Sequence, residues 1–187
     1  MPAIGLALGL AFTRPSGAAA APSTLYFHET EDTDWDNGDN WFEDAAGTIP
    51  WGAVPTASQD AVIQDGLCDA DGVCASLVVV GVGTLTSNTG TITTNDGTVT
   101  TNSGTVTTNN GEVTNNYGTV TTNSGTVTTN NGTVTTNNGT VTNNASVATI
   151  TDHNSAATVT TNNGLIVNAY SGSTVTTNYG TITNDNR

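Results

Sequence analysis

Three groups of residues in this 187-residue chain have types and spacings that suit chemistry. The first is "DTDWDNGDNWFE", where Asp32, Asp34 and Asp36 alternate and Glu43 follows eleven positions after Asp32. That is the spacing with which an oxygen-rich loop wraps calcium. Such a loop needs glycine at its sixth position, but Asn37 stands there with Gly38 one later, and no helical pattern flanks it. Calcium is an expectation that this departure weakens. The second group is "CDADGVC", in which an Asp-Gly turn lets Cys68 and Cys74 close a small disulfide loop, with too few ligands for zinc. A disulfide is expected, with two thiols as the alternative, and it points outside the reducing cytosol. The third is His28 and His153, far apart, with no cysteine or repeated carboxylates beside them. His153 falls at an insertion between repeats, where a solvated side chain is expected. The N-terminal acids supply material for a general acid/base pair, yet no catalytic constellation emerges, and the expectation is that the chain is not an enzyme.

Charge narrows the partners. There are 16 acidic residues against Arg14 and Arg187, and no lysine. Nucleic-acid binding rests on Lys and Arg neutralising phosphates, so nucleic acid and anionic membranes are excluded, and no membrane span is expected in the mature chain. Twelve of the acids lie between Glu29 and Asp71, which leaves the rest of the chain almost uncharged.

That rest is repetitive. "GTVTTNNGTVTTNNGTVTNN", Gly125 to Asn144, repeats with a period of seven. A coiled coil needs two apolar positions per heptad, and here there is one. Val and Thr favour strands, while Gly and Asn favour turns. Each heptad therefore reads as a short strand and a turn, and such units stack into a solenoid. The aliphatic position recurs at Leu85, Ile92, Val99, Val106, Val113, Val120, Val127, Val134 and Val141 in steps of seven, then at Ile150, Val159, Ile166, Val175 and Ile182 with some steps of nine. The register is too regular for a disordered tract. The wider steps, at 145–148, 154–157 and 171–173, read as two-residue insertions at corners.

Strand alternation points Val127 inward, Thr126 and Thr128 outward, and Thr129 back toward the interior. Asn and Gly are then expected at corners with positive φ. Burying one Val yields roughly 1.5–3 kcal/mol, while ordering seven residues costs about 1–2 kcal/mol each, so stability must come from stacking. Stacking provides backbone hydrogen bonds, an aliphatic column and ladders of Asn and Thr. Two coil sizes fit, 14 residues in two sheets or 21 in three. Asn115 and Asn143 replace Thr 28 positions apart, a multiple of 14 and not of 21, which favours two heptads per coil. The fold class is all-β, a β-solenoid over 76–187 with a capping segment at 23–75.

Residues 1–22 read in two ways. Their apolar run and the small residues near Ala20 suit an export signal, although no Lys or Arg precedes the run. Ile4, Leu6, Leu8, Leu10 and Phe12 also alternate strictly with Ala or Gly, which suits a retained strand used in assembly. Either reading places the protein outside the cell or on its surface. Farther on, "DNWFEDAAGTIPWGAVPTASQDAVI" resembles the lead-in of secreted bacterial β-solenoid proteins, through its Asn-Trp, Val-Pro-Thr-Ala and Asp-Ala-Val-Ile steps. The resemblance implies a cap in which Trp35, Trp41, Phe42 and Trp51 cover a first coil near "SLVVVGV".

Two functional classes follow. Open strand edges at the end of a solenoid template association, and "GTVTTNYGTITNDNR" stays in register almost to Arg187. The chain is expected to partner itself head to tail as a filament, with Ile182 and the Ile4–Phe12 strand at the joint. Thr-x-Thr on stacked coils also resembles the ice-binding face of β-solenoid antifreeze proteins, with candidates Thr98, Thr100, Thr105, Thr107, Thr126, Thr128, Thr133 and Thr135. A surface adhesin or spacer stalk is the remaining expectation.

Overall fold

The computed structural model describes residues 21–30, 32–69, 72, 74 and 76–187, and the Ile4–Phe12 strand and Ala20 lie outside them. Five strands precede the regular repeats: β1 (Thr24–Phe27), β2 (Trp41–Phe42), β3 (Asp60–Ile63), β4 (Leu67–Cys68) and β5 (Leu77–Val79). Fourteen five-residue strands follow, one per heptad. They are β6 (Thr84–Asn88), β7 (Thr91–Asn95), β8 (Thr98–Asn102), β9 (Thr105–Asn109), β10 (Glu112–Asn116), β11 (Thr119–Asn123), β12 (Thr126–Asn130), β13 (Thr133–Asn137), β14 (Thr140–Asn144), β15 (Thr149–His153), β16 (Thr158–Asn162), β17 (Leu165–Ala169), β18 (Thr174–Asn178) and β19 (Thr181–Asp185).

From β5 on, successive strands alternate between two parallel sheets. Odd-numbered strands form one sheet, extended through β3 and β1 to β2, and even-numbered strands from β4 to β18 form the other. Val113 pairs with Val99 and Val127 in one sheet, and Val120 with Val106 and Val134 in the other. The coil therefore takes 14 residues, and the solenoid has about eight turns. The aliphatic residues from Leu85 to Ile166 are fully buried, one column per sheet meeting in a narrow core.

Simple alternation fails inside each strand. In β12 the burial order is half-buried Thr126, buried Val127, half-buried Thr128 and Thr129, and buried Asn130. Two consecutive threonines face outward and the asparagine turns in, so Thr129 is not the inward residue, nor are Asn115 and Asn143, which are half-buried at the same outer position. Outward Thr129 and inward Asn130 mean the strand bends midway, which closes a coil of only 14 residues.

The repeat glycines also have another cause. None from Gly97 to Gly139 has positive φ, a conformation confined to other sites such as Gly81 and Gly172. A Cβ on Gly118 would lie 2.0 Å from the Gly104 carbonyl oxygen one coil below, and one on Gly125 would lie 2.1 Å from that of Gly111. Glycine is needed because stacked corners touch. The wider steps are corners as expected: Ala148 N–H donates to Ala145 O, Ala157 to Asn154 O and Ser173 to Tyr170 O, each closing a four-residue turn.

Parallel pairing continues upstream of residue 76, since β3 joins β5 and β1 joins β3. Antiparallel β2 then covers the outer edge of β1. Trp41 is fully buried, edge-on to Phe27 at 5.4 Å and to Trp35 at 4.7 Å, and its Nε1–H donates to Trp35 O. Trp51 packs half-buried against the same cluster.

Candidate functional site

Inward asparagines need partners, because a buried amide without hydrogen bonds is costly. They find them in one another. In the odd sheet Asn95 Nδ2 donates to Asn109 Oδ1, Asn109 to Asn123 and Asn123 to Asn137, at 2.7–2.8 Å. In the even sheet the chain runs from Asn88 through Asn102, Asn116, Asn130, Asn144 and Asn162 to Asn178, at 2.6–2.9 Å. Every Nδ2 points toward the C-terminal end. Most also donate to a backbone carbonyl on the opposite sheet, as Asn102 does to Thr119 O and Asn123 to Thr140 O. Each rung therefore joins adjacent coils and the two sheets together.

Polarity leaves an acceptor over at the start of each ladder. Asn88 Oδ1 and Asn95 Oδ1 are buried without a hydrogen-bond partner. For Asn95 the reason is visible: its partner one coil below is Val79, itself above Ile63, where the column is apolar.

His153 is not at a solvated corner. It ends β15, fully buried, on the asparagine position of the odd sheet, paired with Asn137. Sequence reading assigned it to the corner insertion that follows, 154–157, although it stands three residues after Ile150 as each inward asparagine does after its aliphatic. Its Nδ1 lies 3.2 Å from Asn137 Nδ2, and its Nε2 lies 3.0 Å from Thr174 O. Burial pushes its pKa down, and the Thr174 carbonyl opposes that in part. Ala169 occupies the rung beyond.

The outer faces carry the threonines. Thr98, Thr100, Thr126 and Thr128 lie on the even sheet, and Thr105, Thr107, Thr133 and Thr135 on the odd one, so the candidates divide between opposite faces. On the even face the residue after the aliphatic is Thr in all seven strands from β6 to β18, while on the odd face Val167 interrupts that column in β17. Glu112, which replaces a Thr on the even face, accepts from Thr128 Oγ1 at 3.0 Å.

The acidic loop forms its own turns. Asp32 Oδ1 accepts from Asp34 N–H and from Asn40 Nδ2, Asp34 Oδ1 accepts from Asp36 N–H, and Asn37 Nδ2 donates to Asp32 Oδ2. The first of these backbone bonds chiefly holds the Asp32 carboxyl below its usual range. Among the described residues no cluster of three or more His, Cys, Asp or Glu is placed to hold a metal. Glu43 bonds through its backbone N–H to Ile49 O. Cys68 is buried in β4 and Cys74 half-buried beyond it. His28 pairs through Nδ1 with Asp65 at 2.8 Å and stands edge-on to Phe42, where it ties β1 to the turn after β3.

At the C-terminal end the pattern changes. Val175 and Ile182 are only half-buried, Asn178 is exposed, and β18 and β19 are the last strands of their sheets. Arg187 pairs with Asp185 at 2.7 Å and holds its carboxyl down at about 2. No described helix is long and apolar enough to cross a membrane. No family model, curated protein or solved structure matches this chain, and what the structure itself establishes is a parallel β-solenoid with internal asparagine ladders.

Proposed function

We propose that this chain is an extracellular structural protein whose solenoid stacks head to tail on further copies into a filament or surface fibre. One observation carries the reading. Coil after coil stacks in one register, with the aliphatics from Leu85 to Ile166 fully buried and the inward asparagines bonded to their equivalents one coil along, as Asn116 is to Asn130 and Asn123 to Asn137. A coil edge therefore repeats the cross-section by which each coil accepts the next, and such an edge templates association. The covering element of the neighbouring copy would be either its segment around Trp35 and Trp41 or its alternating stretch Ile4–Phe12. The lead-in resemblance supports an extracellular setting.

The test is assembly of three proteins: wild type, a chain lacking residues 1–12, and one extended after Arg187 by a charged, proline-containing segment that blocks strand pairing. Filaments from the wild type alone support the proposal. Monomers of unchanged mass for all three at high concentration refute it.

A second reading is favoured by the unbroken threonine column of the even face. Seven in-register Thr at a spacing of about 4.8 Å form a regular hydroxyl and methyl column, as an ice-binding surface requires. Wild-type protein without thermal hysteresis removes it.

A further inference from the structure

We propose that His153 is a pH-sensitive rung, whose neutral imidazole completes the odd-sheet ladder and whose protonation opens the C-terminal coils from β15 to β19. The argument rests on donor and acceptor patterns. An asparagine rung accepts at Oδ1 from the preceding coil and donates from Nδ2 to a carbonyl of the opposite sheet three strands ahead, as Asn123 does to Thr140 in β14. His153 reproduces both halves: Nδ1 faces the donating Nδ2 of Asn137, and Nε2 reaches Thr174 O in β18, again three strands ahead. Only the neutral tautomer with its proton on Nε2 does this. Ala169, the small residue at the next rung, is fully buried where an asparagine amide otherwise stands.

Imidazolium has two donors and no acceptor. Its Nδ1–H would face the Asn137 amide N–H. Rotating the Asn137 amide does not relieve this, because its Nδ2 would then oppose the Nδ2 of Asn123, which donates to it at 2.8 Å. Reversing the whole ladder would sacrifice the bonds from Asn95, Asn109 and Asn123 to Glu112 O, Thr126 O and Thr140 O. The even-sheet ladder holds asparagine alone and has no such member.

Among the described residues no carboxylate is in position to rescue the charged form. Asn137 of β13 and Ala169 of β17 flank the ring, and β18 contributes a backbone carbonyl. Asp152, the neighbour in β15, is on the outer face, where it accepts from Asn168 Nδ2 and from the Tyr170 hydroxyl. Asp185 of β19 stands two coils along and is held by Arg187, whose own charge disfavours a second cation nearby. The folded state lowers the histidine's proton affinity, so its contribution to stability is complete above the unfolded value, about 6.5, and is lost as pH falls below it toward the folded pKa.

Amide hydrogen exchange of the full chain, corrected for intrinsic rates, is compared between wild type and His153→Asn from pH 7.5 to 5. His28 is present in both and cancels. In the wild type, protection in β15–β19 should fall by up to about tenfold per pH unit below about 6.5 relative to His153→Asn, with β7–β13 unchanged in both. The 15N shifts of His153 should show the Nε2–H tautomer at pH 7.5. Equal pH profiles in the two proteins, or a charged His153 in fully protected coils, would overturn the proposal.

Discussion

Ladder polarity makes an unusual quantitative prediction for two chemically identical truncations. Asn123 accepts from Asn109 Nδ2, and its own Nδ2 donates to Asn137 Oδ1 and Thr140 O. Asn123→Ala removes these bonds and leaves Asn137 Oδ1 buried without a partner. An orphaned buried acceptor costs about 1–3 kcal/mol and each of the three lost bonds about 1 kcal/mol, so the expected loss is about 4–6 kcal/mol. Asn95→Ala also orphans an acceptor, Asn109 Oδ1, but it removes an Oδ1 that is already buried without a partner. That relief offsets about 1–3 kcal/mol, and the net expectation is about 1–3 kcal/mol. Urea unfolding followed by far-ultraviolet circular dichroism, with unchanged m-values, measures both. Equal losses, or a loss for Asn123→Ala no larger than that for exposed Asn138→Ala, would refute a directed ladder.

Other perturbations follow from the same geometry. Val127→Asp should abolish the β-sheet dichroism and cooperative melting of the array, because it places an unpaired charge where the residue is fully buried. Gly118→Ala should cost about 1–3 kcal/mol in urea melts, since its Cβ would meet the Gly104 carbonyl at 2.0 Å, and a neutral result would mean that stacked corners separate freely. Replacing Thr114 and Thr128 together by Tyr disturbs the even face alone and should leave filament formation intact, whereas an ice binder would lose hysteresis. Mass spectrometry of protein alkylated without reduction should leave Cys68 and Cys74 unmodified, and uptake of two alkyl groups would remove the expected disulfide.

The repeat made the coil legible because each heptad carries one aliphatic, and its step fixes which residues stack. Orientation within the strand was harder. Alternation holds from Thr126 to Thr128, but the bend at Thr128–Thr129 reverses it, and nothing in a Thr-Thr-Asn run marks a bend. Asn130 therefore read as a corner residue, although an inward amide becomes affordable once the same residue recurs above and below. The glycines misled in the same way: they read as positive-φ turns, while the contact that requires them, Gly118 against Gly104, exists only between coils. His153 was hidden because a histidine can replace an asparagine rung only as one tautomer, a detail of hydrogen-bond pattern that hydrophobic periodicity does not carry. The burial of Trp35, Trp41 and Phe42 was expected only through the lead-in resemblance, because no periodicity marks that segment.

The 14-residue coil on which every ladder depends is tested most directly by paired spin labels. Labels would replace Thr128 and Thr142 in one protein and Thr128 and Thr135 in another, both with Cys68 and Cys74 changed to Ser and an unchanged circular dichroism spectrum. Thr128 in β12 and Thr142 in β14 are adjacent strand positions on one face, about 4.8 Å apart along the stack, while Thr135 is on the opposite sheet. The account predicts strong dipolar broadening for the 128/142 pair and none for 128/135. Narrow lines for 128/142, or equal broadening in both, would contradict it.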